Sequence, residues 1–119
     1  MSALTPVSKA LVELMAGAPR GPRREGLFAL WLTTRLIEDL EQPTAERTIR
    51  RRVALLEKRL SSLGLSQAMR KGISTTLGLL KEAVRPNPAS LLSQLAAPTR
   101  DGVGPDAAEI LNRAARALR

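Results

Sequence analysis

The sequence predicts an all-α fold: a compact bundle of about five to six helices, with a central apolar helix and a long antiparallel helical hairpin. Three observations carry this. The chain holds 21 Leu and 17 Ala against 5 Val and 4 Ile, and Leu and Ala lose little side-chain freedom in a helix where β-branched residues lose more. Pro, Gly and capping residues recur at helix-length intervals. No segment alternates apolar and polar residues as a half-buried strand does. At 119 residues and 44 % hydrophobic, the chain is sized for one domain with a real core.

The elements follow in order. Thr5 before Pro6 marks an N-cap with a first-turn proline, and Gly17 closes that helix after Met15. Residues 18–26, with two Pro, two Gly and three Arg, are expected to form a loop. A second helix is expected over 25–41, stopping before Pro43. Thr44 is placed to cap a third over 45–63, with Gly64 behind it. Ser66 is placed to cap a fourth over 67–85, which Pro86 ends. Asn87 and Pro88 repeat the cap-plus-proline signal for a short helix over 88–96, and Pro105 opens the last. The chain therefore divides into a bundle core over 1–97, a linker over 98–104, and a C-terminal helix over 105–119. That last helix carries Ala107, Leu111, Ala114 and Leu118 on one face, to pack on the core or on another subunit.

The second helix is the expected centre. Phe28, Ala29, Leu32, Leu36 and Leu40 form one face, with Leu30 and Ile37 to one side and Leu27 and Trp31 to the other. A helix apolar nearly all round has to be enclosed, so Trp31 is expected in the core or an interface. The third helix spaces Ile49, Val53, Leu56, Leu60 and Leu63 as a heptad-like seam, and the fourth answers with Met69, Ile73, Leu77, Leu80 and Val84. The short link between them predicts an antiparallel hairpin. Gly72 and Gly78 each weaken the fourth helix by about 1 kcal/mol relative to Ala, which points to a close backbone approach.

Composition removes most site chemistry. There is no His, Cys or Tyr. Thiolate and imidazole metal sites, haem ligation by such groups, His-dependent nucleophile triads and disulfides are all excluded. The densest acids, Glu38, Asp39 and Glu41, do not share one helix face. No Gly-rich phosphate loop follows a strand. The expectation is a non-enzymatic protein without cofactor or metal. The longest apolar-rich stretch, 27–40, is broken by Arg35, Glu38 and Asp39. It is too short and too charged to span a bilayer. With no leader-like start, a soluble cytoplasmic protein is expected, with no membrane partner.

The charge is the informative feature. The chain has 19 Lys and Arg against 11 Asp and Glu, net +8, a balance that suits a polyanion or an acidic surface. In the third helix Arg47, Arg51 and Lys58 lie opposite the apolar seam. Arg50 flanks them, and Arg52 and Arg59 lie nearer the seam. In the fourth, Arg70, Lys71, Lys81 and Arg85 share one flank. In a hairpin the two sets are expected to merge into one cationic stripe. An Arg is expected to neutralise the acids that close the second helix, where the helix dipole disfavours them. Helix-turn-helix geometry around Leu63–Ser66 fits less well: the turn Gly and Ile73 match, but Arg70 falls where that motif buries an apolar residue, and the preceding helix is too long. Backbone binding to nucleic acid fits better: Arg to phosphate, with little base reading. Docking on an acidic protein surface is the alternative, and assembly into an oligomer or larger complex fits either. In size, helical character and charge alone, the chain resembles the small helical subunits of CRISPR effector complexes, which are non-catalytic and line a nucleic-acid channel. No residue motif carries that resemblance.

Overall fold

A computed structural model describes residues 4–43, 45–82 and 86–119. Six α-helices lie among the described residues: α1 (Thr5–Ala16), α2 (Pro22–Glu38), α3 (Glu46–Leu60), α4 (Gln67–Glu82), α5 (Pro88–Gly102) and α6 (Pro105–Leu118). A single 3₁₀ turn, Asp39–Glu41, extends α2. No strand occurs among the described residues. The Cα radius of gyration is 13.0 Å, close to the value of about 13–14 Å for a compact chain of this length.

α2 occupies the middle and touches α1, α3, α4 and α5, while α6 lies on α5 and α1. The most extensive pairing is α5 with α6, ahead of α3 with α4. The α3 seam (Ile49, Val53, Leu56, Leu60) and the α4 seam (Met69, Ile73, Leu77, Leu80) are buried in one common core. Leu63 packs at its margin. Val84 and Arg85, with the end expected for the fourth helix, lie outside the described residues, as does Thr44.

The boundaries differ from expectation at instructive places. The cap position of α1 is Leu4, with Thr5 already helical. Gly17 closes α1 as expected, but with an ordinary right-handed backbone. The loop before α2 ends at Gly21 rather than Gly26, because Pro22 occupies the first helical turn. Gly21 and Gly104, the residues before the two helices that open on Pro22 and Pro105, share the same extended positive-φ backbone at 150° and 147°. That region belongs almost wholly to glycine. Ser66 does cap α4, its Oγ accepting from Met69 N at 3.3 Å. Asn87 caps α5, its side chain accepting from Ala89 N and Ser90 N.

The largest difference is the stretch 98–104. Pro98 does not open a linker; it lies inside α5, which runs on to Gly102. An interior proline costs a helix about 3 kcal/mol when nothing offsets it. Here its ring seats against Gly72 of α4, where a Cβ would stand only 2.5 Å from Pro98 Cγ. One of the two α4 glycines thus marks a crossing helix. Gly78 has nothing within 4 Å of its would-be Cβ and marks no close approach.

The buried face of α2 is also turned from the expected one. Leu27, Ala29, Leu30, Leu36 and Ile37 are buried together with Thr33 and Thr34, whereas Phe28, Trp31, Leu32 and Leu40 are only half-buried. Threonine hides its polarity by bonding back along its own helix: Thr33 Oγ1 donates to Ala29 O at 2.8 Å, and Thr34 Oγ1 to Trp31 O at 2.9 Å. Counting apolar side chains alone therefore places the face wrongly.

Candidate nucleic-acid interface

α3 carries six of the ten cations singled out by the sequence, on three flanks. Its buried seam leaves Arg52 and Arg59 on the α2 side. Arg50 and Glu57 lie on the α4 side, and Arg47, Arg51 and Lys58 point away from the core within about 40° of one another.

On the α2 side both arginines are engaged. Arg52 Nη1 donates to Asp39 Oδ2 at 2.6 Å, so one of the acids closing α2 is neutralised by an Arg as expected. The Arg59 guanidinium lies 5.3 Å from the Phe28 ring centroid. On the α4 side Arg50 pairs with Glu46 at 3.4 Å, one turn back, and Lys81 pairs with Glu57 at 2.6 Å. Arg70 serves the fold, donating to Leu60 O at 3.3 Å and Leu63 O at 2.8 Å. It thereby braces the turn after α3, adding a second donor to Leu60 O, which already accepts from Leu63 N at 3.1 Å. Glu25 of α2 holds the same turn from the other side, accepting from Gly64 N at 3.1 Å.

Four of the ten remain. Arg47, Arg51, Lys58 and Lys71 are exposed, and their side chains make no ion pair or hydrogen bond among the described residues. Arg85 lies outside the described residues. The merged stripe expected from the hairpin is thus interrupted where Glu57 meets Lys81. What persists as a continuous free cationic line is the outer face of α3, about 16 Å from Arg47 to Lys58 at the helical rise.

A second feature was not singled out by the sequence. Phe28 and Trp31 stack with ring centroids 6.1 Å apart and planes inclined by 24°, and the Arg35 guanidinium stands 5.1 Å from the Trp31 ring centroid. Arg59, Phe28, Trp31 and Arg35 therefore form a ladder of cations and rings along one edge of α2. The spacings Phe28–Trp31 and Trp31–Arg35, three and four residues apart, are visible in the sequence. The partnership of Arg59 with Phe28 is tertiary and is not. Beside the ladder a groove of about 670 Å³ runs between α2 and α3. Its edge carries Leu55, which is 62 % exposed.

No group of three or more Asp and Glu among the described residues could hold a metal ion. No helix among them is long and apolar enough to cross a membrane. The fold and face define the class: a basic helical domain, with six α-helices among its described residues. No protein-family model matches the chain, and neither a curated protein nor a solved structure does.

Proposed function

We propose that this is a small non-enzymatic protein that binds the phosphate backbone of nucleic acid through the outer face of α3, alone or as a subunit of a cytoplasmic nucleoprotein complex. One observation carries the reading: Arg47, Arg51 and Lys58 stand in line, exposed and without carboxylate partners, on a chain of net charge +8. Lys71 on α4 adds a fourth free cation. The chemistry of the face favours phosphate over a protein surface. Charge dominates this face: among these cations α3 exposes Ala54 and, at the edge toward α2, Leu55. Protein interfaces draw on an apolar, desolvated centre, whereas a polyelectrolyte is held by charge and counterion release alone.

The test is a titration of random-sequence single- and double-stranded DNA and RNA at about 50 mM salt, where such contacts are strong. The wild-type chain binds, and the triple variant Arg47→Gln, Arg51→Gln, Lys58→Gln loses affinity for every sequence alike, since phosphate contacts carry no base information. Absence of binding to all four probes, by the chain and by its native complex, overturns the proposal and leaves docking on an acidic protein as the better reading.

A further inference from the structure

The groove between α2 and α3 has the opposite character to the outer face of α3. Phe28, Leu32 and Leu36, spaced every four residues, form a ridge about 12 Å long on α2, and Leu55 and Leu56 face it from α3. Leu55 leaves most of its surface in water, an apolar residue one position from Leu56 of the seam and flanked on its own helix by Arg51, Arg52, Lys58 and Arg59. Both walls are helices with their backbone groups bonded internally, so the groove offers no sheet edge to an extended peptide. It offers an apolar floor about two helical turns long. That length takes the i, i+3 or i+4, and i+7 side chains of an amphipathic helix.

The rim states the charge of the occupant. Asp39 is neutralised by Arg52 at 2.6 Å. Arg35 and Arg59 lie over aromatic rings rather than against carboxylates. Their N–H donors are therefore available to acids on an incoming helix, and a guanidinium takes a carboxylate in paired hydrogen bonds. Glu38 is the one acid lining the groove besides Asp39; it closes α2 one turn after Arg35 and makes no ion pair with it. A second copy of this chain would bring another net charge of +8 against this rim. A nucleic-acid strand would leave the leucine floor without apolar contact.

We propose that the α2–α3 groove docks an acidic amphipathic helix from a partner protein, with Leu55 and the Phe28–Leu32–Leu36 ridge as its apolar floor and Arg35 and Arg59 as its charge readers. The site adjoins the outer face of α3 along Leu55, so the protein joins an acidic helix on the α2 side of α3 to a polyanion on the neighbouring face.

The probe is a display library of random peptides of about 16 residues, roughly four helical turns, selected against the full chain. Trp31, the only tryptophan, stacks on Phe28 of the groove and reports binding by its fluorescence. The expected binders carry apolar residues at helical spacing and net negative charge, shift Trp31 emission, and lose affinity about tenfold or more on Leu55→Gln, as for a central apolar anchor. Arg35→Gln with Arg59→Gln weakens acidic peptides more than neutral analogues. Leu55 is exposed, so Leu55→Gln leaves the circular dichroism spectrum unchanged and the loss is one of binding. The proposal is overturned if selected peptides lack acidic bias, or if Leu55→Gln leaves their affinity intact. It is also overturned if the groove proves to be filled by a second copy, seen as a dimer in sedimentation that Leu55→Gln dissolves, or if oligonucleotides quench Trp31 and displace the peptides.

Discussion

Arg50, Arg51 and Arg52 are consecutive in the chain and have three different surroundings: Arg50 is paired with Glu46, Arg51 meets solvent, and Arg52 holds Asp39. The first pairing is legible from its four-residue spacing, and the second follows from Arg51 lying opposite the seam. For the third, sequence shows only that acids at the end of α2 need a cation; which arginine answers is a tertiary fact. The freedom of Arg47, Arg51 and Lys58 means that their replacement by Gln changes unfolding free energy by less than about 0.5 kcal/mol, as at featureless surface sites. Arg52→Gln costs up to about 1 kcal/mol, the usual range for a surface ion pair. Urea unfolding measures both. A second residue-scale effect depends on pH. The Arg23 hydrogen bond, helped by the N–H of Ala107, holds the Asp106 carboxyl below its ordinary range. Arg23 reaches Asp106 Oδ2 at 2.8 Å and also Val103 O at 2.6 Å. A carboxyl more acidic in the folded chain than in the unfolded one stabilises the fold above the unfolded value, about 3.9. That contribution disappears as pH falls through the folded value. Both side chains are nearly half exposed, so the effect is small. Asp106→Asn should flatten this part of the acid limb, seen by comparing urea midpoints of variant and wild type from about pH 5 downward.

At the scale of elements, helix number and most caps were legible because Pro, Gly, Ser66 and Asn87 act locally. Two features were not. Pro98 terminates a helix by local rules, and only its seat against Gly72 of α4 makes it an interior residue. The face of α2 was misplaced because Thr33 and Thr34 look polar in sequence and are buried by bonds to their own helix. The two glycines of α4 separate these ideas in one experiment. Gly78→Ala meets empty space and should stabilise by about 0.5–1 kcal/mol through helix propensity. Gly72→Ala gains the same propensity but drives a methyl to 2.5 Å from the Pro98 ring, so it should destabilise by about 1–3 kcal/mol, as overpacking does. Urea unfolding of the two variants side by side gives the signs. Stabilisation by Gly72→Ala would show that α5 does not cross α4 at Pro98.

Across the whole molecule, the fold class was legible from composition and punctuation, and the cationic nature of the α3–α4 side from residue counts and helical phase. What could not be read was the division of those cations into structural and free ones. That division depends on which carboxylates the folded chain brings near, as Glu57 to Lys81. The groove was hidden for the same reason, since it belongs to two helices and Leu55 looks like one more core leucine. On the proposed function, the free line on α3 tracks a phosphate backbone. The measurement that tests it most directly is the salt dependence of single-strand binding by wild type and by the Arg47→Gln, Arg51→Gln, Lys58→Gln variant. With the three cations and Lys71 each neutralising one phosphate, log K against log salt should fall with a slope near −3, at about −0.7 per phosphate. The variant should flatten that slope by about two units and bind all sequences more weakly to the same degree. An unchanged slope in the variant, or a wild-type slope near zero, would contradict the claim.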